Sequence, residues 1–235
     1  KLKDEKKWTI HEVKAFYTDH FVLPLPSGHR FPMAKYRMLR DQVTDLKGIY
    51  LQEAPKIADH LLALAHDTDY IKRVNQGLLS SAEQREIGFP WSVEMVERSK
   101  RSAGATWLAA QVAMLEGIAV NLAGGTHHAY RDRGSGFCVF NDVAVVATYL
   151  LRHFSLKVAV IDLDVHQGNG TAAILSEVHE IFTLSLHGDK NFITAPKRNR
   201  SADQSCIAAL RHDLQIKAIG NLDNLLHFIC RSRSY

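Results

Sequence analysis

Three short apolar runs separated by stretches of helix length constrain this chain more than any other feature. They are Ile118-Ala119-Val120-Asn121-Leu122, Lys157-Val158-Ala159-Val160-Ile161 and Ile181-Phe182-Thr183-Leu184-Ser185-Leu186. A largely apolar run of this length reads as a strand buried on both faces, and such strands belong to parallel sheets. Parallel neighbours cannot be joined by a tight turn, and the segments 141–152 and 170–178 are long enough to act as crossover helices. The spacing therefore predicts a β-α-β-α-β series over 118–187 and a parallel sheet covered on both faces.

Upstream, Val13-Lys14-Ala15-Phe16-Tyr17 is a β-prone run, and the prolines and glycine from Pro24 to Pro32 impose a fixed loop. Apolar residues at helical spacing predict helices over 33–46, 54–64 and 92–115, the last interrupted at Gly104. With 46% apolar and 23% charged residues in 235, disorder and coiled coil are excluded for most of the chain. No apolar run approaches the roughly 20 residues of a membrane span, so no membrane partner is expected. The net charge of +4 is concentrated after residue 189, where eight basic side chains face three acidic ones. The body is near neutral and has no basic stripe interleaved with aromatics, so no direct nucleic-acid binding is expected. Three cysteines without a CxxC pair point to a reducing compartment, and an intracellular, cytoplasmic protein is expected.

Each of the three strands runs into polar residues that packing alone would not demand, at the strand ends where open α/β sheets bind ligands. The first meets Gly124-Gly125-Thr126-His127-His128-Ala129, the second Asp162-Leu163-Asp164-Val165-His166-Gln167-Gly168-Asn169-Gly170, and the third Ser185-Leu186-His187-Gly188-Asp189. In an extended segment, alternation puts Asp162, Asp164 and His166 on one side, a donor set suited to zinc or iron(II). Two adjacent carboxylates call for a cation or a histidine proton between them. The competing reading is a satisfied polar turn. His127 and His128 are expected to point in different directions yet line one pocket as acid and base, against the alternative of a polar surface loop. Asn141 or Asp142 is suited to cap the next helix, and Cys138 is expected to be a buried small hydrophobe.

In order, spacing and flanking pattern, these segments together with Gly136-Phe137-Cys138-Val139-Phe140-Asn141-Asp142 resemble the successive motifs of the zinc-dependent histone deacetylase superfamily. The earlier Pro24-Leu25-Pro26-Ser27-Gly28-His29-Arg30-Phe31-Pro32-Met33 and His66-Asp67-Thr68-Asp69-Tyr70 are similar to it as well, and Gly88-Phe89-Pro90-Trp91-Ser92 looks closer to bacterial and class IV-type members. The resemblance implies a three-layer α-β-α fold of the arginase/deacetylase kind. It also implies one catalytic Zn²⁺ and hydrolysis of an acyl-lysine or a small acylated amine. It makes Asp164 and His166 zinc ligands and His128 the general base, and it pairs His127 with Asp162 beside the oxyanion. Gly136 and Phe137 would line the acyl channel. Asp162 and Ser185, with the backbone of Asp164, His166 and Leu186, would hold a structural K⁺. Asn169 stands where many members carry an Asp. A manganese ureohydrolase on the related fold fits less well, because His127-His128 and Gly136-Phe137-Cys138 follow the deacetylase pattern.

The resemblance extends from about residue 15 to 192, which divides the chain into a deacetylase-like domain, 1–192, and a basic tail, 193–235. The family's third zinc ligand, a later Asp, and its oxyanion tyrosine would fall past Tyr235. C-terminal strands are therefore expected to be missing, and with two ligands the site is expected to hold metal weakly. A catalytically inactive form that acts by binding is the alternative function. The tail reads either as an altered C-terminus, from a frameshift, splicing or an error of gene prediction, or as a genuine tail with short helices over 208–219 and 222–230.

Overall fold

The computed structural model describes residues 12–188 and the strand Leu225–Cys230. Strand β1 (Val13–Tyr17) is followed by helix α1 (Lys35–Thr44), strand β2 (Ile49–Glu53) and the helices α2 (Asp59–Leu62), α3 (Thr68–Gln76), α4 (Ser81–Ile87) and α5 (Val93–Glu116). The alternating part follows: β3 (Ala119–Asn121), α6 (Asp142–Phe154), β4 (Lys157–Asp162), α7 (Asn169–Leu175), β5 (Ile181–Ser185) and, last, β6 (Leu225–Cys230).

All strand pairs are parallel, but the expected β-α-β-α-β series does not share one ladder. Strand β3 pairs with β1, which pairs on its other side with β2, giving the order β2-β1-β3. Strand β4 sits in a second sheet of order β5-β4-β6. The N-terminal strand is the reason: Lys14 to Phe16 take the ladder positions opposite Ala119 to Asn121. On β4, Val158, Ala159 and Val160 are all buried, so both faces are covered, which is why that run lacks polar alternation.

The helix expected over 54–64 contracts to the four residues of α2, since Pro55 precedes it and Ala54 continues the β1 edge by donating to Tyr17 O at 3.0 Å. The short helix expected over 222–230 is instead, within the described residues, β6, an apolar run that lies along β4 from Lys157↔Leu225 to Asp162↔Cys230. The other expected tail helix, over 208–219, lies outside the described residues.

Helix α5 packs on β1, β3 and α6, and α6 packs on β4. Gly104 does not interrupt α5; a side chain there would overlap the Pro55 carbonyl oxygen, so glycine lets the helix meet the 55–57 segment backbone to backbone. The main core joins Leu62, Tyr70, Ile87, Met95, Phe140, Val145, Val146, Leu150 and Val158, and a smaller cluster joins Phe16, Ala54, Ala105 and Ala109. Among the described residues, no helix is long and apolar enough to cross a membrane.

Candidate active site

The loop after β3 is anchored from below by a fully buried carboxylate. Asp142, the first residue of α6, accepts hydrogen bonds from Gly125 N (3.0 Å), Thr126 N (2.8 Å), Thr126 Oγ1 (2.7 Å) and Thr106 Oγ1 (2.5 Å). Its neighbour Asn141 is the N-cap, accepting from Ala144 N, while its amide donates to Ala129 O and Thr171 Oγ1. His66 completes the frame by accepting Asn141 N–H on Nε2 at 2.8 Å. These contacts hold both ends of the dipeptide His127-His128.

The two imidazoles lie side by side, ring centroids 4.0 Å apart, rather than diverging as expected. Their partners differ. His127 Nδ1 meets Asp162 Oδ2 at 2.6 Å, and His128 Nδ1 donates to Asn169 Oδ1 at 2.9 Å. Because Asn169 Oδ1 also accepts Gly170 N, the amide oxygen faces His128, and the bond leaves the lone pair of His128 on Nε2.

Past β4 the chain does not continue extended. Asp162 Oδ1 accepts Asp164 N (2.9 Å) and Asp164 Oδ1 accepts His166 N (2.7 Å), two successive side-chain turns. Turns, not strand alternation, thus set Asp164 and His166 relative to Asp162. Asp164 Oδ1 and His166 Nδ1 stand 3.0 Å apart, and His127 Nε2 is 3.9 Å from the same oxygen. The two neighbouring carboxylates are therefore bridged by an imidazole. Gly168 is required here, since a side chain would collide with the Asp162 carboxylate.

This arrangement drives the two histidines apart in proton affinity. Burial lowers that of His127, but the bond to Asp162 and the charges of Asp162, Asp164 and Asp142 outweigh it, so its pKa lies above the usual value. Burial lowers His128 as well, and the neighbouring His127 and His166 push the same way, to a pKa of about 4. The two touching rings are thus pushed in opposite directions, His127 toward holding a proton and His128 toward the free base, the pattern by which acid and base roles are separated.

Gly136 and Phe137 both have positive φ, at 54° and 66°, and their N–H groups donate to Glu86 O and Ile87 O. The Phe137 ring joins Phe31 and Phe89, with centroids 4.9 to 5.2 Å apart. Cys138 is buried, with its thiol pushed up to about 12 by burial, which fits a small hydrophobe and not a nucleophile. At the β4 and β5 ends, Asp162 and Ser185 are in register, Leu186 N donates to Asp162 O at 2.9 Å, and Ser185 Oγ accepts from Gly168 N. Among the described residues no three His, Cys, Asp or Glu side chains form a metal-holding group, although Asp164 and His166 have the donor chemistry for two zinc positions.

With this geometry in view, comparison with known proteins decides the lineage. The histone deacetylase domain matches residues 28–211. The chain belongs to the histone deacetylase family. An uncharacterised protein of Picosynechococcus is 41% identical over 189 residues, covering 78% of this chain and 62% of that protein. The acetoin utilization protein AcuC of Bacillus subtilis is 35% identical over 144 residues, covering 57% of this chain and 37% of AcuC. Among solved structures, an HDAC homolog complexed with SAHA superposes with a TM-score of 0.64 at 28% identity, over 75% of this chain and 51% of that one. The HDAC homolog from Aquifex aeolicus gives 0.62 at 26%, with the same coverage. This deacetylase-family chain thus has the expected α/β fold with a parallel sheet, and it spans only part of the length of these relatives. Sequence reasoning missed Thr106, His66 as a partner of Asn141, and the anchoring role of Asp142, since no local pattern announces a bond across 36 or 75 positions.

Proposed function

We propose that this site is that of a zinc-dependent amidohydrolase which removes an acyl group from acyl-lysine or a small acylated amine. The observation that carries the reading is the pair of touching imidazoles, one hydrogen-bonded to Asp162 and one to Asn169, beside Asp164 and His166. Asp164 and His166 would hold the zinc, with a third protein ligand drawn from outside the described residues. Bound there, zinc supplies a Lewis acid for the acyl carbonyl and lowers the pKa of attacking water toward about 7. His128, with Nε2 free, takes the proton of the attacking water. His127, whose proton affinity Asp162 raises, faces the developing oxyanion and stabilises its charge. Phe137 and Gly136 wall the acyl channel, and Asp162 and Ser185, with the backbone of Asp164, His166 and Leu186, would hold a monovalent cation.

Zinc content and hydrolysis of an acetyl-lysine reporter test this together. The expected result is bound zinc that is lost in Asp164→Ala and His166→Ala, and hydrolysis that falls at least about 100-fold in His128→Ala while zinc is retained. A second reading is a deacetylase-like protein that acts only by binding. Acyl-lysine binding with neither zinc nor turnover would select it.

A further inference from the structure

Several of the described cations that border the site and its supporting helices are matched by a carboxylate. Arg40 is on Asp19, Arg73 on Asp69 and Glu83, Arg101 on Glu53 and Glu97, Arg133 on Glu86, and Lys100 on Asp59. Arg30, Lys35 and Arg98 have no carboxylate oxygen within 4.0 Å among the described residues, a state they share with Lys72, Arg85, Arg131 and Arg152, and what sets these three apart is the ring cluster on which they lie. All three are laid against one group of rings. Arg30 Cζ is 5.1 Å from the Phe137 centroid, Lys35 Nζ is 5.0 Å from Phe31 and 5.1 Å from Tyr36, and Arg98 Cζ is 4.0 Å from Tyr36.

The loop that carries Arg30 is fixed rather than free. His29 Nδ1 accepts Phe31 N at 3.1 Å, which leaves the ring proton on Nε2 to donate to Gly88 O at 2.9 Å. Arg30 lies between these two anchored residues and is thereby held over Phe137. Ring faces attract cations without neutralising them, so the cluster presents uncancelled positive charge. Arg98 is buried and lines a cavity of about 30 Å³, room for a water or two, so it contributes field from behind. Arg30 is exposed and Lys35 half-buried, and these two can touch a ligand.

We propose that Arg30 and Lys35 form a carboxylate-recognising rim beside Phe137. The substrate is then an acylated amine bearing a carboxylate at the end of its chain remote from the amide, such as Nε-acyl-lysine with a free terminal carboxylate. Acylated polyamines and acyl-lysine embedded in basic peptides are disfavoured by the same field. This rests on reading Gly136 and Phe137 as the channel wall.

The test uses the full 235-residue chain with added zinc and three probes: Nα-capped Nε-acetyl-lysine as its carboxylate, the same compound as its carboxamide, and N-acetylputrescine. Dissociation constants are measured by ligand-observed NMR. The carboxylate is expected to bind about three- to fivefold tighter than the carboxamide at low salt, with N-acetylputrescine weakest. The preference should shrink at about 0.5 M salt and reverse in Arg30→Glu. Arg37→Glu, a charge change of the same size on an arginine beside Asp41, should leave it intact. Equal binding of carboxylate and carboxamide, or an equal loss in Arg37→Glu, overturns the rim while leaving the acylamine site standing. Failure of all three probes to bind overturns the acylamine reading itself, and the rim with it.

Discussion

At His66 the fold buries an imidazole whose Nε2 must stay unprotonated to accept Asn141 N–H, with the rest of the ring turned to the Tyr130 and Arg131 backbone. Burial lowers its pKa to about 4, against about 6.5 when unfolded. Between those values the unfolded chain binds a proton that the native chain refuses, so stability is lost as pH falls from about 6.5 toward 4. Going from pH 7 to 5, this one group is expected to remove about 2 kcal/mol. Urea unfolding should show that difference between wild type and His66→Gln, the variant being less stable at pH 7 but with a flatter pH dependence. Asp142 is the other residue on which the site stands. Asp142→Asn turns an amide N–H₂ toward two of the four donors and should cost roughly 2 to 4 kcal/mol in chemical denaturation.

At the scale of elements, Gly104 decides between two opposed effects. Helix propensity alone would make Gly104→Ala stabilising by up to about 1 kcal/mol. The new methyl group would instead meet the Pro55 carbonyl, backbone against backbone, and neither can step aside cheaply. A net loss of roughly 2 to 4 kcal/mol, read as a fall in Tm, is expected. Helix α4 begins with a full capping box, in which Ser80 Oγ accepts Glu83 N and the Glu83 carboxylate accepts Ser80 N. Ser80→Ala should cost about 1 kcal/mol in the same assay. Periodicity located α5 to within a residue at each end, because a 24-residue helix repeats its signal many times. It overran at 54–64, where Pro55 and a strand continuation override apolar spacing. It passed over β2, whose five residues are mostly exposed or half-buried and carry little hydrophobic pattern.

For the whole molecule, β6 covers the side of β4 that β5 leaves open. A chain ending at residue 224 would expose the ladder from Lys157 to Asp162, an invitation to edge-to-edge pairing. Light scattering during refolding is expected to rise in that variant relative to the full chain. The strand ends that carry Asp162, Asp164, His166 and Ser185 belong to this same sheet, so its integrity and the site's are coupled.

What the sequence by itself determined was local or repeated many times over: buried parallel strands from their apolar runs, crossover helices from their spacing, and polar residues gathered at strand ends. The motif segments also pointed to the family that the domain match bears out. Tertiary structure alone decided which strands pair, since a buried apolar run can face any parallel neighbour, and β3 chose β1 rather than β4. It alone decided that side-chain turns, not strand alternation, set Asp164 and His166 relative to Asp162. The protonation of the histidines was hidden for the same reason. His127 and His128 are adjacent and chemically identical in sequence, and only a carboxylate 35 positions away, set against an amide 41 positions away, pushes their proton affinities apart.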